Sequence, residues 1–382
     1  DTNHAAASRK IYRQFLPTHA SSVGYRNLLD NLLQEVTAEA SVTDSQAMEI
    51  AWILGSFYAR EKSFRSLPDN FTNQFKQHPE LLRQLVKVTT AYAQQNEIPA
   101  ATPLELKSFP GHTAAAIALL FALLEDWDQA DTLFQVAINA APNLTGQFYE
   151  TWGLQAYSQN HIERAAELFN QAIKSDFVKQ KTTFHFFLAG AAYTLEDETA
   201  AVHNAKLASE LGATNPRLST RLPWILYRSG HYEEAERLYG DLVNKFGKQT
   251  SNPAVAQVVQ ESKMILSNIC HHLEKHTAAV EWLEQVLDDD PQHIGTLNDL
   301  GYLWADQNEH LARAKNMLEV AVHAQPENNS YRDSLGWVYY RLGDFQRAKV
   351  ELEKAAAGDS PDGVILDHLG DTFQQLGNVE RA

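Results

Sequence analysis

One short phrase, a Leu-Gly pair followed by aromatic residues, occurs three times toward the carboxyl end of the chain as LGYLW, LGWVY and LGDTF. The three glycines, Gly301, Gly336 and Gly370, are 35 and 34 residues apart. An alanine follows the first two phrases at nearly constant distance, at Ala314 and Ala348. A fixed period of this length indicates an array of structural repeats, which constrains the fold more than any other feature.

A second pattern repeats in the segments that follow each phrase. The segment from Trp127 to Pro142 shows this pattern. Within it, the spacing is 4 and then 3 residues between Ala130, Phe134 and Ala137, which places all three on one face of an α-helix. The same spacing predicts seven such second helices, each preceded by an apolar first helix, and a lone first helix at the end of the array. The other six stripes are Ala165, Phe169, Ala172; Ala201, Ala205, Ala208; Ala235, Tyr239, Leu242; Ala279, Leu283, Val286; Ala314, Leu318, Ala321; and Ala348, Leu352, Ala355.

The repeated glycines lie in the middle of predicted helices, where glycine costs roughly 1 kcal/mol relative to alanine. The presence of glycine at positions 153, 301, 336 and 370 in spite of this cost predicts a compensating gain in helix packing. The absence of a Cβ allows two antiparallel helices to approach closely. We therefore expect each first helix to cross its second helix at the glycine, and Gly230, Gly343 and Gly377 to form turns.

Length and charge narrow the range of functions. A chain of 382 residues exceeds the roughly 250–300 at which a single core stops growing, so it must divide or stack. Thirty-two Lys and Arg against 48 Asp and Glu give a net charge of −16, which argues against nucleic acid and anionic lipid as partners. The longest apolar run, Ala114 to Leu124, has 11 residues, too few to insert in a membrane.

The part of the chain before the regular repeats is predicted to be helical but irregular. Residues 25–36 show an amphipathic pattern, and a helix from Ala47 to Arg60 is predicted to be capped by Asp44 or Ser45. Residues 48–81 resemble a degenerate repeat, in which Pro68 breaks the second helix. Three prolines in residues 98–110 predict a boundary. We therefore expect an irregular N-terminal region at 1–110 and a repeat array of about seven units and a terminal half-repeat at 111–382.

The period and the small-residue pattern resemble the tetratricopeptide repeat family, whose unit is 34 residues of helix, turn and helix. The resemblance implies an all-α fold, a right-handed superhelical solenoid of antiparallel helix-turn-helix repeats. It also implies that the first helices line a concave groove that holds extended segments of other proteins. The chain departs from the pattern at Ser267, where glycine is expected, at Pro223 and around Gly190.

The resemblance predicts a partner-binding groove on the first helices of the last three units. No lysine occupies the groove positions there, whereas several aspartates do, so we expect a neutral or basic extended segment as the partner. The alternative to a binding role is that the aspartates form a solvated helix face. For Trp337 the alternative is a buried structural role. The candidate groove residues are Asn298, Tyr302, Asp306, Asp333, Trp337, Tyr340, Arg341, Asp367, Asp371 and Gln374.

Sequence motifs for catalysis, cofactors and metals are lacking, so we expect neither an enzyme nor a cofactor. The chain has no glycine-rich phosphate loop, no HExxH and no nucleophile elbow. Cys270 with His271, His272 and His276 is the one cluster that suggests a metal, but Cys270 takes the place of a large core residue. A packed thiol and no metal site is therefore the prediction.

Two other hypotheses stay open alongside a non-catalytic scaffold or adaptor. The chain begins without Met and stops in a repeat at Ala382, which is consistent with the regulatory or targeting region of a larger enzyme. A self-assembling structural protein is the other hypothesis, since Leu366, Leu369 and Phe373 lie on a helix with no predicted partner. The last units look like bacterial envelope scaffolds and adaptors, which favours the cell envelope or periplasm over the cytoplasm.

Overall fold

The computed structural model describes Leu29, Leu32, Leu33 and residues 42–61, 71–95, 110–249, 251–357 and 362–382. All regular structure in these residues is helical, which confirms the predicted all-α class. The chain forms two compact units that divide between Leu211 and Gly212. The predicted boundary near residue 110 stays a prediction, because residues 96–109 lie outside the described part of the chain.

The first unit is a series of helices in which α4 packs on α5, α6 on α7 and α8 on α9 as hairpins. Its helices are α1 (Asp44–Glu61), α2 (Phe71–Lys76), α3 (Pro79–Gln95), α4 (Pro110–Leu123), α5 (Trp127–Ala140), α6 (Thr145–Ser158), α7 (Ile162–Lys174), α8 (Thr182–Thr194) and α9 (Glu198–Leu211), with a 3-10 turn at Pro142–Leu144 between α5 and α6.

The second unit continues the hairpin pattern, with α11 packed on α12, α13 on α14, α15 on α16 and α17 on α18. Its helices are α10 (Pro216–Ser219), α11 (Arg221–Arg228), α12 (Tyr232–Phe246), α13 (Pro253–His272), α14 (His276–Asp289), α15 (Ile294–Asp306), α16 (Leu311–Ala324), α17 (Asn329–Arg341), α18 (Phe345–Ala355) and α19 (Gly363–Gln375).

The predicted stripes of the second helices form the core. All seven triplets, from Ala130, Phe134 and Ala137 in α5 to Ala348, Leu352 and Ala355 in α18, are buried. Aspartates at Asp126 and Asp344 cap α5 and α18 by accepting hydrogen bonds from the amides of Gln129 and Arg347. Apolar periodicity therefore located both the helices and their buried faces.

Gly301 and Gly336 lie where the first helix of their hairpin packs closely against the second. A Cβ on Gly336 would stand 2.5 Å from Leu352 Cγ and 3.3 Å from the carbonyl oxygen of Ala348. The corresponding contacts at Gly301 are 2.8 Å to Leu318 Cγ and 3.3 Å to the Ala314 carbonyl. The predicted close approach is confirmed at both glycines.

Serine serves the same crossing in the hairpin of α13 and α14. Ser267 is buried, and its hydroxyl donates a hydrogen bond of 2.8 Å to the carbonyl oxygen of Ala279. Ala279 belongs to the same repeat position as Ala314 and Ala348. The Ser267 hydroxyl therefore bonds to the equivalent of the alanine carbonyls that lie beside Gly301 and Gly336. The departure from glycine is therefore accommodated without loss of the crossing.

Gly370 differs from the other glycines of its repeat position. The nearest atom to a Cβ built there is the carbonyl oxygen of Ala382, at 3.6 Å, which is ordinary van der Waals contact. Residues 376–382 form turns, and the Arg381 guanidinium lies 4.3 Å from the centre of the buried Phe373 ring. Of the apolar residues proposed for self-assembly, Leu366 is the exposed one, and Leu369 is half-buried.

The hairpin turns use left-handed backbone conformations. Gly230, Gly343 and Gly377 have φ of 79°, 80° and 75°, which confirms their predicted role, because glycine carries no Cβ penalty there. Other turns place glutamate or asparagine in the same conformation, including Glu125 and Asn160. The sequence therefore marks only some of the turns by glycine.

Two irregularities near the start of the second unit take definite forms. Pro223 lies in the first turn of α11, and the short helix α10 precedes it, so the first helix of this unit is divided. The second irregularity is an insertion between α12 and α13, and Asn252 at its end caps α13 by accepting a hydrogen bond from the Ala254 amide. At 20 residues α13 is longer than the 13-residue α15, so the insertion forms extra helical turns.

The N-terminal part required corrections. The cap of α1 is Thr43, which accepts a hydrogen bond from the Gln46 amide, while the Gln46 side chain accepts one from the Thr43 amide. This reciprocal capping box replaces the predicted cap at Asp44 or Ser45. Gly55 also lies close to another helix, because a Cβ built on it would stand 2.7 Å from the Cα of Thr113 in α4. The predicted break at Pro68 lies outside the described residues.

Among the described residues, helices long and apolar enough to cross a membrane are absent.

Replacing Gly336 with alanine tests the crossing. We expect Gly336→Ala to lower the free energy of unfolding by about 1–3 kcal/mol, because the new methyl group overlaps the fully buried Leu352. Gly370→Ala is the matched control and should raise it by about 0.5–1 kcal/mol, since alanine is the better helix former and has room there. Chemical denaturation followed by circular dichroism measures both, and equal effects of the two variants would refute the packing role.

Candidate functional site

The ten predicted groove residues lie on three helices that pack side by side in the second unit. The first helices α15, α17 and α19 form a layer in which α15 contacts α17 and α17 contacts α19. We call this surface the first-helix face of the C-terminal hairpins. Each of its side chains is held by a helix that the core fixes in place.

The face contains residues at three depths. Asp306, Asp367, Asp371 and Gln374 are exposed; Tyr302, Tyr340 and Arg341 are half-buried; Asn298, Asp333 and Trp337 are buried. The solvated carboxylates therefore belong to Asp306, Asp367 and Asp371. Asp333 and Trp337 instead have contacts within the chain.

Trp337 forms the centre of an aromatic stack. Its ring is 7% exposed and lies 4.1 Å from the ring centre of His368, with an angle of 15° between the planes. The Tyr340 ring is 4.8 Å away at 6°. Stacked rings at this distance contribute beyond their buried area. The indole is therefore covered largely by its own chain, in line with the structural role that was the alternative prediction.

Asp333 is paired with a residue that the sequence analysis missed. Its carboxylate Oδ1 lies 2.9 Å from Nδ1 of His368, and both side chains are buried. His368 therefore links α17 to α19 through both a hydrogen bond and the stack on Trp337. The signal that could have identified it is its separation of 35 residues from Asp333, one repeat period, which places side chains of adjacent hairpins next to each other.

Tyr302 and Arg341 line the same surface. Burial raises the pKa of the Tyr302 phenol to about 12, with a further contribution from the Asp306 and Asp333 carboxylates. The phenol is therefore a neutral hydrogen-bond donor at ordinary pH. Arg341 donates a hydrogen bond of 2.9 Å to the backbone carbonyl of Asp306, and its guanidinium lies 5.5 Å from the Trp337 ring centre.

Several buried polar atoms beneath the face have no hydrogen-bond partner among the described residues. They are Asn298 Oδ1, Trp337 Nε1 and Arg341 Nε. Next to them, the Asn298 amide donates to Asp299, whose carboxyl pKa is raised by burial. Unpaired buried polar groups are rare in folded proteins and destabilise them. The buried layer beneath this face therefore contains polar atoms that do not contribute to its hydrogen-bonded packing.

The cluster around Cys270 is a packed region. Cys270 is fully buried, and burial, with Glu236 nearby, raises the pKa of its thiol to about 11. His272 stacks on Tyr232 at 4.7 Å, whereas the rings of His271 and His276 are 6.1 Å apart. Within the described part of the chain, no three His, Cys, Asp or Glu side chains converge in a way that would hold a metal ion.

The pair of His368 and Asp333 is expected to stabilise the last two hairpins. His368→Ala leaves a buried carboxylate without its partner and removes one stacked ring, so we expect the free energy of unfolding to fall by about 2 kcal/mol or more. The control is Asp371→Ala on the same helix, where the side chain is exposed and the change should stay within about 0.5 kcal/mol. Urea denaturation of both variants measures the difference, and similar losses would contradict the assigned role.

The single thiol offers a second measurement. In the folded protein at pH 8 Cys270 remains protonated, since its pKa is raised to about 11 and only the thiolate reacts. We expect the reaction with an aromatic disulfide reagent to be on the order of a hundredfold slower than in the chain unfolded in guanidinium chloride. Equal rates in the two states would show that the thiol is accessible.

Comparison with known proteins gives the family. The model of the tetratricopeptide repeat matches residues 151–216, 224–294 and 305–364. The TPR repeat-containing protein PA4667 of Pseudomonas aeruginosa is 32% identical over 89 residues, a stretch that makes up 23% of this chain and 15% of that protein. The chain therefore matches only a small part of the length of this curated relative.

Solved structures that are similar to the chain have low sequence identity. A tetratricopeptide repeat protein from Parabacteroides merdae has a TM-score of 0.49 at 13% identity, over 69% of this chain and 98% of that chain. Yeast Tom70 has a TM-score of 0.46 at 16% identity, over 95% of this chain and 74% of that chain.

The family model covers more than half of the 382 residues. The chain therefore belongs to the tetratricopeptide repeat family, whose members generally serve as non-catalytic scaffolds for protein interaction.

Proposed function

We propose that the first-helix face of the C-terminal hairpins binds an extended segment of a partner protein, and that this segment is neutral or basic. The observation that carries the proposal is the arrangement of exposed carboxylates beside half-buried aromatic rings on three adjacent helices. Function in such arrays depends on the exposed residues of the face, since the fold itself is shared by proteins with unrelated partners.

The charge of the face supports a basic segment. Asp306, Asp367 and Asp371 are exposed there, and the guanidinium of Arg341 is tied to a backbone carbonyl. Carboxylates on a binding surface favour partners of opposite charge and increase their rate of association. With a net charge of −16, the whole chain attracts such a partner at long range.

Apolar contact would come from Tyr302 and Tyr340. Both are half-buried, so each ring is fixed by packing while part of it remains accessible. Tyrosines of this kind give contact area at low entropic cost. Trp337 and Asp333 then have a supporting role: with His368 they hold α17 and α19 together beneath the face.

The proposal is tested with peptides and a pair of charge reversals. We expect the chain to bind a labelled peptide of net charge +4 more tightly than peptides of charge 0 or −4 with the same apolar residues. Asp367→Lys/Asp371→Lys should weaken binding of the +4 peptide by about tenfold, because two attractive contacts become repulsive. Fluorescence polarisation at low salt measures these affinities.

The control has the same change in net charge at another place. Glu281 and Asp288 are exposed on the second helix α14, so Glu281→Lys/Asp288→Lys should reduce affinity only through the long-range field, by much less than the groove variant. If both double variants lose affinity equally, the binding is a general charge effect and the proposed face is wrong.

A further inference from the structure

The first unit contains a cleft that no sequence motif marked. It encloses about 870 Å³ and is lined by the first helices α4, α6 and α8 together with the loop before α8. A volume of this size lies at the upper end of the roughly 300–1,000 Å³ range of ligand pockets. Because all its residues belong to the first unit, this cleft is separate from the C-terminal face.

One wall of the cleft is a loop that is longer than most of its counterparts. Residues 175–181 join α7 to α8, whereas the equivalent link between α16 and α17 spans only 325–328. The Ser175 hydroxyl accepts a hydrogen bond from the Phe177 amide, and the Ser175 carbonyl accepts one from the Val178 amide. Val178 is buried, but Phe177 is 59% exposed. The loop therefore presents a large aromatic ring at the rim of the cleft.

The floor of the cleft is polar and uncharged. Thr151 and Gln147 line it, and the Thr151 hydroxyl lies 2.8 Å from the hydroxyl of Tyr58. Nε2 of Gln147 is buried and has no partner in the described part of the chain. Asn143 and Gln155 add further side-chain amides to the lining. An amide offers both a donor and an acceptor, which is what a peptide backbone requires.

The charges at the cleft are few and opposite. Glu150 and Lys179 are the ionisable residues of its lining, and the Lys179 ammonium is held by the backbone carbonyl of Asp176. A phosphate or carboxylate ligand would need several cationic or amide donors that converge on it. The lining therefore favours an uncharged ligand with apolar and hydrogen-bonding parts.

We propose that this cleft is a second binding site, which takes an uncharged extended segment of a partner protein and seats one large apolar side chain against Phe177 and the apolar wall formed by Leu123 and Leu154. The side-chain amides bind the backbone of the segment, and the exposed Phe177 acts as the anchor that dominates the affinity. This site differs in its selectivity from the C-terminal face, because it has no excess of carboxylates.

Gly146 provides a variant that fills the cleft without disturbing the fold. It lines the cleft at the start of α6, and a Cβ there would meet only Val178, at 3.9 Å. Leucine at this position projects into the space proposed for the ligand and also favours the helix. Gly240→Leu in α12 is the matched control, since Gly240 has no atom within 4 Å of its Cβ position and lies in the other unit.

The probe is an end-capped peptide of about ten residues, made of Ser, Asn and Gly around one central Phe, and binding to the full chain is followed by fluorescence polarisation. We expect the uncharged Phe peptide to bind, and versions with a central Ala, or with two added Lys or Glu, to bind about tenfold more weakly. Gly146→Leu and Phe177→Ser should each weaken binding of the Phe peptide by a similar factor, whereas Gly240→Leu should leave this binding unchanged.

Several outcomes would overturn the proposal. One is unchanged binding in Gly146→Leu, another is equal affinity for all peptides or no binding of any, and a third is preference for a charged peptide. Equally tight binding of N-acetyl-phenylalaninamide alone would show a small-molecule pocket instead of a segment site. Because Gly146→Leu leaves the C-terminal face unaltered, its effect on the Phe peptide is independent of whether the +4 peptide binds that face.

Discussion

The structure depends on the contact between a first helix and the second helix that follows it. At Gly301 and Gly336 the absence of a Cβ lets a leucine of the second helix and an alanine carbonyl approach the first helix directly. The two helices of each of these hairpins can thereby pack closely against each other. The side chains of the first helix that point away from this crossing then have a defined place on the face. The buried core of these hairpins and the position of the C-terminal face depend on this constraint.

The sequence predicted much of the fold because a helical stripe and a repeat period are strong signals. All seven stripes that begin with alanine are buried, as their spacing predicted. Less regular features were not predicted correctly. The cap at Thr43 depends on a hydrogen bond to Gln46, and Gly55 packs on Thr113, far away in sequence. Such contacts are set by tertiary packing, which the period of a repeat does not describe.

The candidate site was predictable in position but not in depth. Helical spacing placed the ten residues on three adjacent first helices, yet it did not distinguish exposed Asp371 from buried Asp333. The reason is His368, which pairs with Asp333 and stacks on Trp337 from the next hairpin. The cleft in the first unit was missed altogether, because its wall is a loop whose exposed Phe177 belongs to no repeating pattern.

We propose that partner proteins bind to the first helices of the C-terminal hairpins. A peptide of net charge +4 that carries a benzophenone group, cross-linked to the full chain by light and mapped by mass spectrometry, tests this claim directly. We expect cross-links on α15, α17 and α19, near Tyr302, Tyr340 and Asp371. Cross-links concentrated on the second helices α16 and α18 would contradict this proposal.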